Sequence, residues 1–445
     1  MLERQQELIE VMTRVDGVAP GSGLKKHRKM TISPFVMLRG ASSVFYQDLA
    51  NMTFRLPDEI ESWPLTMVMG DCHVSNFGFF SEEGSHGEDV IFAPNDFDDA
   101  CVGHAGWDLL RFGTSLLLCT DHCQGIVEGR YQPLEPLNKN KVVEASEARL
   151  ALTAFWQSYR DTCQQLLDKD MDYRHVLQDF PEEHLLYKLE QKARRRQVGG
   201  EDFLSKSSLA KAVDLEQRPL RFREIPEKFK VIEDGSTYRL IEQVFSPYVD
   251  DTIHHIVERV GAGTGSVNMK RYYLLVGPED VTPEDLGLCH IVEVKKQRAA
   301  APLFEYQDLS LTNLLSPAHL TVNCQRRMQR NPDLVLDDVL WRKAHWLVRS
   351  RHHARVGIDP DNIACGKRAI NGGLREYATV CGAALALAHG RFDRRSQRFE
   401  QAVVATSDAT WSELEQLQTD YAQQVIEDWH WLSSVETGSE SHEEI

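Results

Sequence analysis

Apolar residues along this chain change their spacing as the chain proceeds. Up to about residue 220, and again after 351, they recur mostly at helical intervals; between 221 and 350 they collect in short runs separated by turns. Residues 1–30 read as a helix, a Gly21-Ser22-Gly23 break and a basic run, Lys25-Lys26-His27-Arg28-Lys29. Helix is expected after Gly40 within 34–50, with Val44, Phe45 and Leu49 on one face, then over 107–120 as a buried helix and over 143–169 as a long amphipathic one. The loop 126–141 separates those two, and 170–220 is polar, helical at first and then a linker. In the middle of the chain, 228–232, 238–244, 271–276, 290–294 and 343–349 read as strands, with 254–260 a helix or strand. The final helices are 374–390, with Tyr377, Cys381, Leu385 and His389 one turn apart, and 411–432; a disordered tail covers 433–445. The pattern is that of an α+β protein.

One stretch carries most of the candidate chemistry. Apolar runs at 65–69 and 90–93 each end in polar groups, Asp71, His73 and Asn76 after the first, and Asp96, Asp98 and Asp99 after the second. Read as a hairpin-like pair, they gather carboxylates and an amide at one mouth. Phosphoryl transfer needs this set: one carboxylate to position the attacking hydroxyl, and an Asn and another Asp for the magnesium that bridges the nucleotide phosphates. On that chemistry Asp71 orients the hydroxyl and accepts its proton, His73 holds the loop, and Asn76 and Asp96 are metal ligands, since magnesium prefers oxygen donors. Asp98 joins them or caps the next turn, Asp99 faces solvent or caps, and Asp108 is an N-cap or a brace.

The motif Gly70-Asp71-x-His73-x-x-Asn76, followed by Asp96-Phe97-Asp98-Asp99-Ala100 and Gly106-Trp107-Asp108-Leu109, resembles the catalytic segment of aminoglycoside phosphotransferase-type kinases. Taken with Ser33-Pro34-Phe35 and Leu38-Arg39-Gly40, the chain resembles more closely a bacterial family known as domain of unknown function 2252 (DUF2252), placed among protein-kinase-like proteins. The resemblance implies a two-lobed kinase-like fold with ATP and magnesium held between the lobes. Arg39, a lone basic residue beside apolar neighbours, would pair with a site carboxylate, reach a phosphate or form a structural salt bridge.

The run Gly261-Ala262-Gly263-Thr264-Gly265-Ser266, a following strand, and Val292-Glu293-Val294-Lys295 have the order of a kinase nucleotide lobe. By that likeness Gly261, Gly263, Gly265 and Ser266 cover the phosphates and Lys295 contacts them, with Lys296 the alternate; Glu305 is the expected helix partner of the lysine. The motif order is inverted, because the catalytic loop near 71 precedes the glycine run near 263. The expected arrangement is therefore a circular permutant. Residues 1–220 hold the large-lobe part with the catalytic and metal loops, 221–350 the β-rich nucleotide-binding small lobe, and 351–445 the helical return.

Composition narrows the class without changing this picture. In 445 residues, 42% hydrophobic and 26% charged content is that of a globular chain, and a net charge of −17 argues against a general nucleic-acid surface. That charge also serves plain solubility, with a slight preference for a cationic substrate. No apolar run approaches the roughly 20 residues of a membrane span, and the N-terminus lacks the order of a signal peptide, so a cytoplasmic protein without a membrane partner is expected. The nine cysteines are scattered, odd in number and without a C-x-x-C pair, which reads as reduced structural thiols; Cys119, His122 and Cys123 form an ordinary helix end or a metal set. The expected activity is ATP- and magnesium-dependent transfer of a phosphoryl group to a hydroxyl of a small molecule or protein. A nucleotide-binding pseudokinase or regulatory module, a nucleotidyl-transferring variant, and a two-metal phosphoesterase are the alternatives. For the last of these, the chain lacks a Gly-Asn-His-Asp motif.

Overall fold

The computed structural model describes residues 2–85, 87, 89–133, 136–137, 141–261, 269–393 and 395–440. Its architecture is mixed α+β, with antiparallel sheets and helices packed around several apolar cores. The largest sheet is six-stranded, in the order Leu336–Trp341, Ala344–Arg351, His290–Lys296, Arg271–Gly277, Thr252–Arg259 and Phe229–Val231. Successive side chains alternate between its faces. Tyr272, Leu274 and Val276 pack with Val292 and Val294 against the helix Gly235–Phe245, whereas Tyr273, Leu275 and Ile291 pack on the opposite core with Phe203, Leu209 and Phe222. Glu293 and Lys295 share the Ile291 face of their strand, and Lys296 points the other way, exposed.

The helices Ala105–Val127, Ala145–Asp168, Leu374–Gly390 and Asp408–Glu440 enclose the largest core. Against it lies a three-stranded sheet, Val356–Gly357, Phe77–Ser81 and Val90–Pro94, beside a short pair, Thr66–Val68 with Cys101–Gly103. The pairing of 65–69 with 90–93 is thus corrected. The first strand pairs with 101–103, and 90–94 pairs with the apolar Phe77-Gly78-Phe79-Phe80 run in a hairpin of its own. The loop 69–76 connects the two sheets, and for that reason its polar side chains still meet those that follow Pro94.

Three further expectations change. Residues 238–244 are helical, because Asp234 caps the chain, accepting from the backbone of Ser236 and Thr237, and Ile241 and Phe245 then fall on one face. The last helix runs on to Glu440, and Glu436 is buried there with its carboxylate accepting from Gly21 N at 2.5 Å. Residues 441–445 lie outside the described residues. Helix also begins earlier than Gly40, at Pro34, with Ser33 as its cap. All nine cysteines are buried and unbridged. Among the described residues no helix is long and apolar enough to cross a membrane.

Candidate functional site

A cavity of about 130 Å³ lies where the loop 69–76, the turn 96–99 and the strand end at Lys295 converge. The local fold of each segment explains its place. After strand Thr66–Val68 the chain turns at Gly70, whose φ is +72°, in the left-handed region. Asp108, fully buried at the start of helix Ala105–Val127, accepts from Met69 N at 2.6 Å and Gly70 N at 3.1 Å, and Tyr46 Oη donates to Gly70 O at 2.7 Å. Asp108 is therefore a brace rather than an N-cap. His389 donates or accepts across 3.1 Å at Asp108 and 2.8 Å at Tyr159, as a packing histidine. A Cβ on Gly70 would stand 1.9 Å from Asp99 O. Gly70→Ala should cost about 2–4 kcal/mol through left-handed strain and this clash, read as a lower denaturant midpoint.

Within the loop, Asn76 Nδ2 donates to Asp71 O at 2.9 Å and His73 Nδ1 accepts from Ser75 N at 3.2 Å. Burial holds the His73 imidazole well below its ordinary pKa, so it acts as a neutral acceptor that fixes the loop. Asp71 keeps a fifth of its side chain exposed. Its Oδ1 accepts from Arg111 Nε at 2.9 Å and Nη2 at 2.6 Å, while among the described residues the polar neighbour of Oδ2 is the His73 ring, at 3.8 Å. Burial pushes the Asp71 carboxyl up to about 6 against the pull of Arg111, with Asp99 and Asp96 adding to the rise.

The second acidic segment is more differentiated than its sequence. Asp96 Oδ1 accepts from Asp98 N at 3.2 Å, and burial followed by the charge of Asp98 raises its pKa. Asp98 is ion-paired with Lys295 and also accepts from Gln297 Nε2 at 3.3 Å. Burial opposes its charge, but Lys295 and Arg349 together hold it well below the usual carboxylate range. Asp99 does not face solvent: it is buried, bonded by both Nη atoms of Arg298 at 2.7 and 2.9 Å and by Ala301 N at 2.7 Å. Arg39 lines the cavity with its Nε buried and without a partner among the described residues, its guanidinium 5.5 Å from the Phe35 ring centre.

Asp71, His73, Asn76, Asp96, Asp98, Arg39 and Lys295 thus border one space. Glu305 does not. It sits on the short helix Leu303–Tyr306 and pairs with Arg14 of the first helix, so the partner of Lys295 is Asp98. Of the glycine run, Gly261 is exposed with φ +67°, whereas Gly263, Gly265 and Ser266 lie outside the described residues. Met269, just beyond them, lines the cavity. Sequence reasoning missed Arg111, Gln297 and Arg298. Arg111 carried a signal, being the lone charge in the apolar stretch 109–118; the partner of Arg298 is 199 positions away and had none.

Among the described residues no three His, Cys, Asp or Glu side chains gather as a metal site. The amide of Asn76 with the carboxylates of Asp96 and Asp98 offers a hard-oxygen set that fits magnesium, an ion that keeps several waters and takes one or two protein carboxylates. Crowding of Asp96 by Asp98 is the kind of repulsion that a bound cation relieves.

Behind Lys295, Glu293 is buried between Arg271 Nη1 at 3.1 Å and Arg349 Nε at 2.9 Å. Burial alone would raise its pKa, but the two arginines hold it at about 2, below its ordinary 4.5. A carboxyl depressed by folding stabilises above its unfolded pKa and loses that contribution as pH falls through the folded value. About 3 kcal/mol should therefore drain away between pH 4.5 and 2, and acid unfolding of Glu293→Gln should lack that slope while starting from lower stability at pH 7.

A family model described as "Uncharacterized protein conserved in bacteria (DUF2252)" matches residues 22–130 and 137–434. No curated protein and no solved structure matches the chain.

Proposed function

The chain belongs to the bacterial family DUF2252, and from that premise we propose that it is an ATP- and magnesium-dependent phosphotransferase acting on a hydroxyl. The observation that carries this reading is the meeting of Lys295 with Asp98 in the cavity that Asp71 and Asp96 also line, from segments 197 residues apart. A cation beside three carboxylates and an amide is the complement that a phosphate chain with its metal requires. Asp71 Oδ2, left free of Arg111, accepts the proton of the hydroxyl as its oxygen bonds to the terminal phosphorus and the bond to the bridging oxygen of ADP breaks. Asn76, Asp96 and Asp98 would hold the metal. Magnesium, when bound, would neutralise phosphate oxygens and orient them for displacement. Lys295 and Arg39 contribute positive charge on the phosphate side.

The proposed architecture is a two-lobed kinase-like fold in circularly permuted order, its nucleotide lobe built from 221–350. Support comes from the packing of segments before 220 with segments after 351. Leu8, Val11 and Met12 of the helix Leu2–Asp16 share a core with Trp429 and Leu432 of the helix Asp408–Glu440, and Arg4 pairs with Asp428 at 2.6 Å. One helical body drawn from both sides of the strand-rich middle is what a permuted order requires. A second reading, a nucleotide-binding module without turnover, draws on the Lys295–Asp98 pair, in which lysine and metal ligand already satisfy one another.

Calorimetry with ATP, with and without magnesium, tests the site. Wild type should bind in a magnesium-dependent manner, and Asp96→Ala and Lys295→Ala should each lose that binding. An absence of binding in wild type ends the phosphotransferase reading. Binding that survives both substitutions moves the nucleotide elsewhere.

A further inference from the structure

Beside the cleft lies a second cavity, of about 30 Å³, bordered by Asn95 and Glu293 and ringed by Arg349, Arg351 and Arg355. It adjoins the first directly. Asn95 precedes Asp96, and Glu293 stands two residues before Lys295 on the same strand face, a step of about 6–7 Å. The charges around it do not balance. Glu293 is matched by Arg349 and Arg271, and the other lining acid, Asp333, by His352 Nε2 at 3.0 Å and Gln325 Nε2 at 3.1 Å.

Arg351 and Arg355 make no carboxylate ion pair among the described residues. Arg351 donates to Tyr273 Oη at 2.9 Å and lies 5.3 Å from that ring centre. Burial, then Arg351 and Arg349, pull the Arg355 guanidinium below its ordinary pKa, as mutual repulsion of gathered cations would. Like charges brought together without a counterion cost stability unless an anion completes the set, and guanidinium forks match the planar or tetrahedral oxygens of carboxylate and phosphate. About 10–15 Å³ admits one water, so this cavity has room for an oxyanion head group and not for a ring.

We propose that the Arg349–Arg351–Arg355 pocket is an oxyanion subsite that anchors a phosphate or carboxylate group of the acceptor, making the hydroxyl substrate of this protein an anionic one. The anion rests on the pocket alone; its role as part of the acceptor rests on the phosphotransferase reading. The local charge therefore overrides the net charge of −17, which by itself favoured a cationic substrate.

The test is calorimetric titration of the full chain with inorganic phosphate and with acetate, without nucleotide, at low ionic strength. Wild type should bind one oxyanion saturably, Arg355→Gln and Arg351→Gln should each weaken it at least about tenfold, and Lys295→Ala should leave it intact. Phosphate bound more tightly than acetate marks a phosphorylated acceptor, and the reverse a carboxylate one. No saturable binding, or binding that survives Arg355→Gln, overturns the proposal. Arg355→Gln should fold, and in anion-free buffer its melting temperature should match or exceed that of wild type; a fall would assign Arg355 a purely structural role. Phosphate bound through Arg355 in a chain that never binds magnesium-ATP leaves the anion site standing and removes the phosphotransferase reading. Magnesium-ATP bound without the anion removes the subsite alone.

Discussion

Asp71→Asn should slow phosphoryl transfer by about 10³-fold while leaving magnesium-ATP binding nearly unchanged, the range set by losing a positioned general base. Asn keeps the size of Asp and an oxygen that can still accept from Arg111, so the loop 69–76 stays in place. What disappears is the carboxylate oxygen Oδ2, which Arg111 leaves free; among the described residues the nearest ring nitrogen, on His73, is 3.8 Å away and belongs to a neutral, buried imidazole. Transfer of a γ-phosphate label to the acceptor returned by a screen of hydroxyl compounds gives the rate. The same screen should begin with phosphorylated and carboxylated alcohols, on the strength of the arginine pocket. A drop in kcat with KM preserved identifies a group that acts in the transition state. A variant as fast as wild type would show that Asp71 accepts no proton, whereas a wild type that binds magnesium-ATP and transfers no label would put the reading without turnover in place of the enzymatic one.

How much of this was legible in the residues depended on whether partners were local. The loop Asp71-His73-Asn76 and the turn Asp96–Asp98 could be placed together because each follows a short apolar run, and the structure sets them around one cavity even though the strand pairing differs from the expected hairpin. The missing strand, Phe77–Ser81, begins one residue after Asn76, so the polar loop absorbed its start. Residues 238–244 misread as strand because a short apolar run has no decisive period. The cap at Asp234 settled the matter, since it satisfies the first free amides of a helix.

Side-chain partners across long separations were the illegible part. Adjacent Asp98 and Asp99 look alike in sequence, yet one meets Lys295 and the other Arg298, because successive side chains leave the backbone in different directions. Glu305 is the expected partner of Lys295 by likeness to a kinase nucleotide lobe, in which the strand lysine meets a helix glutamate. The helix Leu303–Tyr306 instead turns it toward Arg14, and a carboxylate from 197 residues away takes the lysine. The arginines of the second cavity were equally hidden: Arg349 and Arg351 sit on a strand with ordinary alternation, and only the fold brings Arg355 back beside them.

Arg111 supports the strongest stability prediction. It is fully buried inside the largest core, its guanidinium bonded to Asp71 Oδ1 and, through Nη2 at 2.6 Å, to Leu38 O, and lying 5.3 Å from the centre of the Phe45 ring. It therefore ties the loop 69–76 to the helix Pro34–Gly40 as well as neutralising Asp71. Removing one partner of a buried pair leaves the other charge uncompensated, a loss of about 3–5 kcal/mol, so Arg111→Met should unfold at markedly lower denaturant concentration than wild type. Met fills much of the volume, which separates the charge effect from a cavity. The companion variant discriminates between causes. If the cost comes from stranding the Asp71 carboxylate, Asp71→Asn combined with Arg111→Met should recover a large part of it, because a neutral amide tolerates the site that an unpaired anion does not. If the double variant is as unstable as the sum of the single changes, the stabilising contact is the one with Leu38 O. In that case Arg111 is a clasp between the loop 69–76 and the helix Pro34–Gly40 rather than a counterion for the carboxylate in the cleft.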